Sequence, residues 1–327
     1  MPQHFLLISR AKTLSLAQVL RMTDEEAETT FRRLRWTDGN AVCPHCDCPT
    51  VYECRRPTGS LRFRCKACRK DFSITSGTLF AFHKMSLRSY LAATAIFINE
   101  VKGKSALALS RDLGTAYQTA FVLSHKLREA MASEMRGMKV GGQGETVEID
   151  GAYFGGYVKP ANLKENRRDR RFAKNQSGKR QVVVVVRERG GSTLPAVFKS
   201  ESGALRFICQ RVAPGTKVVA DEAPSWNDLH GHFDVSRINH AEAYSLNGVY
   251  SNGAESFFSR MRRGEIGHHH HVAGPYLTAY AREAAWREDN RRVSNGDQVQ
   301  HAVKLAPASK PSVDFCGYWQ RQKEAQG

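Results

Sequence analysis

The chain has 327 residues, with 49 Lys plus Arg against 32 Asp plus Glu, and a formal charge of +17. Its 41% hydrophobic and 9% aromatic content excludes a disordered or collagen-like chain and suffices for more than one core. No apolar run reaches the roughly 18 residues of a membrane span, and the N-terminal segment lacks a signal peptide's apolar centre and cleavage site, so a cytoplasmic protein is expected. The excess of positive charge points to an anionic partner, most simply nucleic acid; solubility charge is the plainer alternative.

Thr23 and Glu26 form a capping box at the head of a helix carrying Ala27, Phe31 and Leu34 on one face and ending near Trp36. Six of the eight cysteines then fall between Cys43 and Cys68, a crowding that suits a metal site in a reducing compartment better than disulfides. Cys43-Pro-His-Cys46 and Cys65-Lys-Ala-Cys68 are CxxC pairs 18 residues apart, with a hairpin-like stretch between them. Four thiolates so spaced make a closed tetrahedral Zn²⁺ site, so a structural zinc ribbon is expected. Cys48, Cys54 and His45 read as spare groups. Residues 55–70 hold seven basic and no acidic side chains, so Arg62, Arg64 and Lys66 are candidates for phosphate contact, against a merely solvated hairpin.

Ser86 caps a predicted helix with Leu87, Leu91 and Ile98 inside. A shorter helix from Ser105 to Leu113, the turn residue Gly114 and Thr115 as the next N-cap follow, with Ala116, Ala120, Leu123, Leu127 and Ala130 on one face. That spacing fits a helix-turn-helix, with Tyr117 and Gln118 at the leading end of a DNA-reading helix, or an ordinary helical hairpin. Gly141 to Gly144 marks a boundary.

Strands come next. TVEIDGAYF (146–154) alternates, QVVVVVRERGG (181–191) is a Val run ending in a turn, and STLPAVF (192–198) is its hairpin partner, with Pro195 suiting an edge. A helical stretch (201–212), the strand TKVVAD (216–221), the strand DVSRINH (234–240) and a helix from about Asn252 complete a mixed α/β layer. After about Asn295 periodicity is weak and a loosely ordered tail is expected.

Asp150 and Asp221 each end a strand-like run, where a sheet fixes a carboxylate and a loop leaves it open. Taken singly, each is better explained as a turn or N-cap residue, and only their pairing with a third polar site changes that. The helix from Ser251 buries Ala254, Phe257, Phe258 and Met261, and its other face shows Asn252, Glu255, Ser259 and Arg262. Two strand-borne Asp and a helix-borne Glu are a donor set for two Mg²⁺ ions in phosphoryl transfer.

FRRLRW, CPHC, FRCKACRKDFSITSGTLF, VEIDGAYFGG, VVADEAPSW, INH and SNGAESFFSRMRR followed by HHHHV, spread over residues 20–292, resemble the zinc-ribbon insertion-sequence transposases with an ISXO-type DDE domain. The resemblance implies a ribonuclease H-like catalytic fold behind a zinc ribbon and a helical, helix-turn-helix-like domain. It implies Asp150 and Asp221 as metal ligands, Glu255 as the third for its charge, and Asn252 as a further ligand or positioning group. The basic position downstream, usually Lys, is Arg262. It further implies Mg²⁺ or Mn²⁺ beside structural Zn²⁺, the element's terminal inverted repeats and target DNA as partners, a homo-oligomer on DNA, and a bacterial source. The expected division is 1–39 helical, 40–78 ribbon, 79–140 helical, 141–292 catalytic and 293–327 tail.

Residues 162–180 hold eight basic and two acidic side chains, so Arg167, Arg168, Arg170, Arg171 and Lys174 are candidates for a DNA clamp, against a solvated loop. His240 belongs to the INH element beside the site. His268 to His271 read as phosphate contact or plain surface. Two other functions stay open: a structure-selective nuclease that never joins strands, and a non-catalytic zinc-ribbon regulator.

Overall fold

A computed structural model describes residues 4–324 apart from 58, 83–84, 157, 170–174, 176–177, 240–244, 246–248, 270 and 273. The chain folds as two compact units, Met1–Glu134 with Asn290–Gly327, and Met135–Asp289.

The first unit begins with α1 (Leu16–Arg21) and α2 (Asp24–Arg35). The Thr23–Glu26 capping box forms: the Glu26 N–H donates to Thr23 Oγ1 at 3.2 Å and the Thr23 N–H to Glu26 Oε2 at 2.7 Å. A three-stranded antiparallel ribbon follows, β1 (Val51–Arg55), β2 (Leu61–Cys65) and β3 (Asp71–Phe72). Its apolar filling is small: Phe63 stacks on Phe72 with centroids 5.2 Å apart, and Trp36 meets Phe63 edge-on at 5.6 Å. Then come α3 (Leu87–Asn99), capped by Ser86, α4 (Ala106–Leu113) and α5 (Tyr117–Ser133). Ile96, Leu109 and Ala120 form a core among these three helices.

Thr115 is not the N-cap of α5. Gly114 turns in the left-handed conformation (φ 60°), which sends the Thr115 N–H back to the Ser110 carbonyl at 3.0 Å. Thr115 therefore closes α4, and Ala116 is the N-cap of α5.

The C-terminal segment is ordered where a loose tail is expected. Val299, Ala302, Val303 and Ala306 are the buried face of α9 (Asn295–Ala308), which packs on α2, α3 and α5. Ser294 caps it, and the Asn295 side chain accepts from the Thr13 and Leu14 N–H groups at 2.9 and 3.1 Å. The stripe is half alanine, which gives weak hydropathy contrast, and its partners α2, α3 and α5 all end before residue 134, far upstream in the chain. A last helix, α10 (Tyr318–Glu324), sets Trp319 Nε1 to donate to the Gln118 carbonyl at 3.3 Å.

The second unit is a five-stranded sheet with β4 (Thr146–Phe154), β5 (Gln181–Glu188), β6 (Thr193–Phe198), β7 (Lys217–Asp221) and β8 (Asp234–Ile238). The spatial order is β6-β5-β4-β7-β8. β5 is antiparallel to its neighbours, and β4, β7 and β8 are parallel. With helices on both faces, this is the ribonuclease H-like arrangement that the resemblance implies. Pro195 sits on the edge strand β6, where its missing N–H costs no ladder bond on the open side.

The Val run is continuous because β5 is covered on both faces. Val182, Val184 and Val186 join Ile208 of α6 (Leu205–Arg211) and Trp226. Val183 and Val185 join Phe257 and Phe258 of α7 (Asn252–Gly264), and Ala281 and Ala285 of α8 (Leu277–Asp289). Each buried Val contributes about 1.5–3 kcal/mol of hydrophobic transfer.

Candidate active site and metal centre

Ile149 of β4 pairs with Ala220 of β7 in parallel register, so the next residues, Asp150 and Asp221, lie side by side on one face of the sheet. Asp221 ends β7 as expected, but Asp150 does not end its strand: β4 stays paired with β5 as far as Phe154 and holds Asp150 at its middle. The Gly151 N–H donates to Asp150 Oδ1 at 2.7 Å, and the Ala223 N–H to Asp221 Oδ1 at 3.1 Å. These bonds hold one oxygen of each carboxylate. That face is covered by α7, which buries Ala254, Phe257, Phe258 and Met261 and carries Glu255 on its first turn.

Burial pushes the Asp150 carboxyl from its ordinary 3.8 up to about 7, and the charges of Asp221, Glu255 and Glu201 push the same way. The structure thus brings Asp150, Asp221 and Glu255 together and adds Glu201. Asn252 is exposed at the first position of α7.

Glu201 is the residue that reading the sequence missed. It follows β6, which runs parallel to β4 because both are antiparallel to β5. A Cβ at Gly151 would lie 2.7 Å from Glu201 Oε1, so Glu201 comes up against the residue next to Asp150 and any side chain there would push its carboxylate aside. Ser225 Oγ donates to Glu201 Oε2 at 2.7 Å. The signal was an acid just after a strand-like run, as at Asp150 and Asp221. Using it requires knowing which strands point the same way.

The donor set fits a divalent cation. It consists of carboxylate oxygens, which suit Mg²⁺ or Mn²⁺, and a cation relieves the repulsion that raises Asp150. Among the described residues, the one group of metal-ligating side chains drawn within 4.8 Å of one another is Cys43, Cys46, Cys65 and Cys68.

In the ribbon, Cys43 Sγ lies 3.7 Å from Cys68 Sγ, and Cys46 Sγ 3.5 Å from Cys65 Sγ. Backbone N–H groups, that of Cys68 foremost, draw the Cys65 thiol from 9.0 down to about 6. Thiolate sulfurs in a closed group of four suit structural zinc. Cys48 and Cys54 are outside the group.

Residues 142–289 match the family model of the ISXO2-like transposase domain, and residues 22–71 that of the transposase zinc-ribbon domain. Together the matches cover more than half of the chain. The chain belongs to the zinc-ribbon, ISXO2-like transposases. It is also 23% identical over 295 residues to an uncharacterised protein in transposable element ISH50 of Halobacterium salinarum, covering 87% of this chain and 97% of that one. As an insertion-sequence DDE transposase it is an enzyme that acts on DNA. No helix among the described residues is long and apolar enough to cross a membrane.

The candidate DNA contacts of this transposase are scattered over both units. Arg62 is half-buried on β2; Arg64 is exposed, 3.9 Å from Asp71; Lys66 lies 4.7 Å from the Tyr52 ring. Tyr117 and Gln118 are exposed at the leading end of α5. Arg167 and Arg168 are exposed, and Arg167 donates to the Ala161 and Asn162 carbonyls, both at 3.2 Å. Arg262 is exposed on α7, its guanidinium 5.7 Å from the Phe154 ring. Arg170, Arg171, Lys174 and His240 lie outside the described residues. His268, His269 and His271 join no metal-ligating group among the described residues.

The raised Asp150 carboxyl makes a testable statement about stability. A carboxyl whose folded pKa exceeds its unfolded one contributes stability fully below the unfolded value, about pH 4, and loses it as pH rises through about 7. Asp150→Asn keeps an acceptor for the Gly151 N–H and has no charge to lose. In magnesium-free, zinc-loaded buffer the variant should match wild type near pH 4 and exceed it by up to about 4 kcal/mol at pH 8. Hydrogen exchange across Val182–Val186 under urea reads the difference, and equal stability at pH 8 would contradict it.

Proposed function

We propose that this transposase binds the terminal inverted repeats of its element, cuts a strand at each end and joins the freed 3′-OH to target DNA. The observation that carries the reading is the convergence of Asp150, Asp221 and Glu255 from the middle of β4, the end of the parallel strand β7 and one helix. Asp150, Asp221 and Glu255 are the groups we assign to hold the catalytic cations, with Glu201 beside them and Asn252 as a positioning group on the exposed turn. When bound, two Mg²⁺ ions supply the positive charge that an in-line phosphoryl displacement needs at its attacking and leaving oxygens. The protein's part is to hold the carboxylates in place on two hydrogen-bonded strands inside the sheet, β4 and β7.

End recognition falls, in this reading, to the first unit. The compact α3–α4–α5 core with Tyr117 and Gln118 exposed supports a helix-turn-helix, and Arg64 and Lys66 on the ribbon suit phosphate contact. Arg167, Arg168, Arg170, Arg171, Lys174 and His240 would touch DNA near the catalytic centre, and Arg262 would fork onto a phosphate. Two ends joined in one reaction imply at least two copies of the chain on DNA.

The test is strand transfer of pre-cut end DNA into a plasmid with Mg²⁺. The expected result is joined product from wild type and none from Asp150→Asn. Cleavage without joining would favour a nuclease, and tight binding of end DNA without either step would favour a regulator.

A further inference from the structure

Helix α7 has no local cap. Ser251 occupies its N-cap position without a side-chain hydrogen bond to the first turn. The Ala254 N–H instead donates, at 3.0 Å, to Glu148 Oε2, a residue 106 positions upstream on β4. Glu148 is buried, 2% exposed, two residues before Asp150 and on the same face of the sheet. Its other oxygen accepts from Arg189 Nε at 3.0 Å. Arg189 in turn donates to the Tyr250 carbonyl at 2.6 Å and lies 3.6 Å from the Tyr250 ring centroid. From the neighbouring position on β5, Arg187 donates to the Gly253 carbonyl at 3.2 Å and to Glu288 at 2.7 Å.

The strands therefore grip the start of α7 at its amide, at Gly253 and at Tyr250. A charge buried this deeply is costly unless fully paired, and here both carboxylate oxygens have donors. Its negative charge also faces the positive end of the helix dipole. Gly253 completes the fit: a Cβ there would lie 2.7 Å from Glu148 Oε2 and 3.1 Å from Arg187 Nε. No larger residue lets the helix seat this closely. Glu255 is the next residue but one after that contact.

We propose that Glu148 is a positioning residue that fixes Glu255 over Asp150 by latching the first turn of α7 to the catalytic strand. The proposal rests on the assignment of Glu255 as a cation ligand. Glu148→Gln places an amide donor against either the Ala254 N–H or Arg189, so one side of the latch opens. Gly253→Ala keeps the charge but drives the helix away from it.

The experiment is Mn²⁺ titration of zinc-loaded full-length protein by electron paramagnetic resonance, with melting temperature measured alongside, for Glu148→Gln, Gly253→Ala and Glu255→Gln. Each is expected to bind Mn²⁺ about tenfold or more weaker than wild type. In Glu148→Ala the tightest of these contacts is gone and only the looser one to Arg187 remains, so adding Gly253→Ala should weaken binding by much less than it does in wild type. A lowered melting temperature with wild-type Mn²⁺ affinity in Glu148→Gln and Gly253→Ala, while Glu255→Gln loses affinity, overturns the latch alone. Should Glu148→Gln fail to fold, Gly253→Ala decides by the same criterion. Wild-type affinity in Glu255→Gln overturns the ligand assignment instead, and the latch with it.

Discussion

Asp221→Asn should lower the rate of strand cleavage in Mg²⁺ by at least about 1,000-fold, a loss of about 4 kcal/mol of transition-state stabilisation. The amide keeps an oxygen for the Ala223 N–H, which Asp221 Oδ1 accepts at 3.1 Å, so the strand end should hold its shape. What disappears is one negative charge at the position where two parallel strands present their carboxylates together. Glu255→Gln should cost about 100-fold or more. Asn252→Ala should cost much less, about tenfold, because Asn252 is exposed and carries no charge. Single-turnover cleavage of labelled end DNA measures all three, with circular dichroism to show retained folding. A larger loss in Asn252→Ala than in Glu255→Gln would exchange their roles.

The second large effect concerns the ribbon. Among the described residues its large buried apolar side chains are few, Trp36, Phe63, Phe72 and Ile74, a small core for holding three short strands by hydrophobic burial alone. Structural zinc in such sites supplies about 10–16 kcal/mol of apparent binding energy, which is also folding energy. Cys65→Ser, or chelation of the wild-type metal, should therefore unfold residues 41–72 locally. The catalytic unit, with its own cores built on β5, should stay folded. Hydrogen exchange should show the ribbon amides losing protection while Val182–Val186 keep theirs, with one zinc per wild-type chain lost on substitution. Binding to end DNA should fall as well, while Mn²⁺ affinity at the carboxylates stays unchanged. Full ribbon protection in the metal-free protein would show that the four sulfurs are not its main support.

Several features were legible because their signals are local. A CxxC pair places two thiols on one turn whatever else the chain does. The capping box at Thr23 and the amphipathic face of α7 are likewise written within a few residues. The Val run announced a strand, and the structure explains its continuity by covering β5 on both faces. The ordered α9 was harder, since an alanine-rich stripe shows its face only when its partners are known. Thr115 was misplaced because a threonine before a helix looks the same whether it opens that helix or closes the one before.

Residue types and short-range patterns were enough for the metal chemistry of the ribbon, the order of the elements and the two strand-borne acids, although β4 runs on past Asp150 to Phe154. The tertiary structure was needed to show that Asp150 and Asp221 stand side by side, that Glu201 approaches them from the turn after a third strand running the same way, and that Glu148 belongs to the helix start 106 residues away. Strand direction and register bring these groups together, and both are set by packing between segments far apart in the chain. A buried carboxylate reads as a ligand, a latch or a turn until its neighbours across the sheet are known.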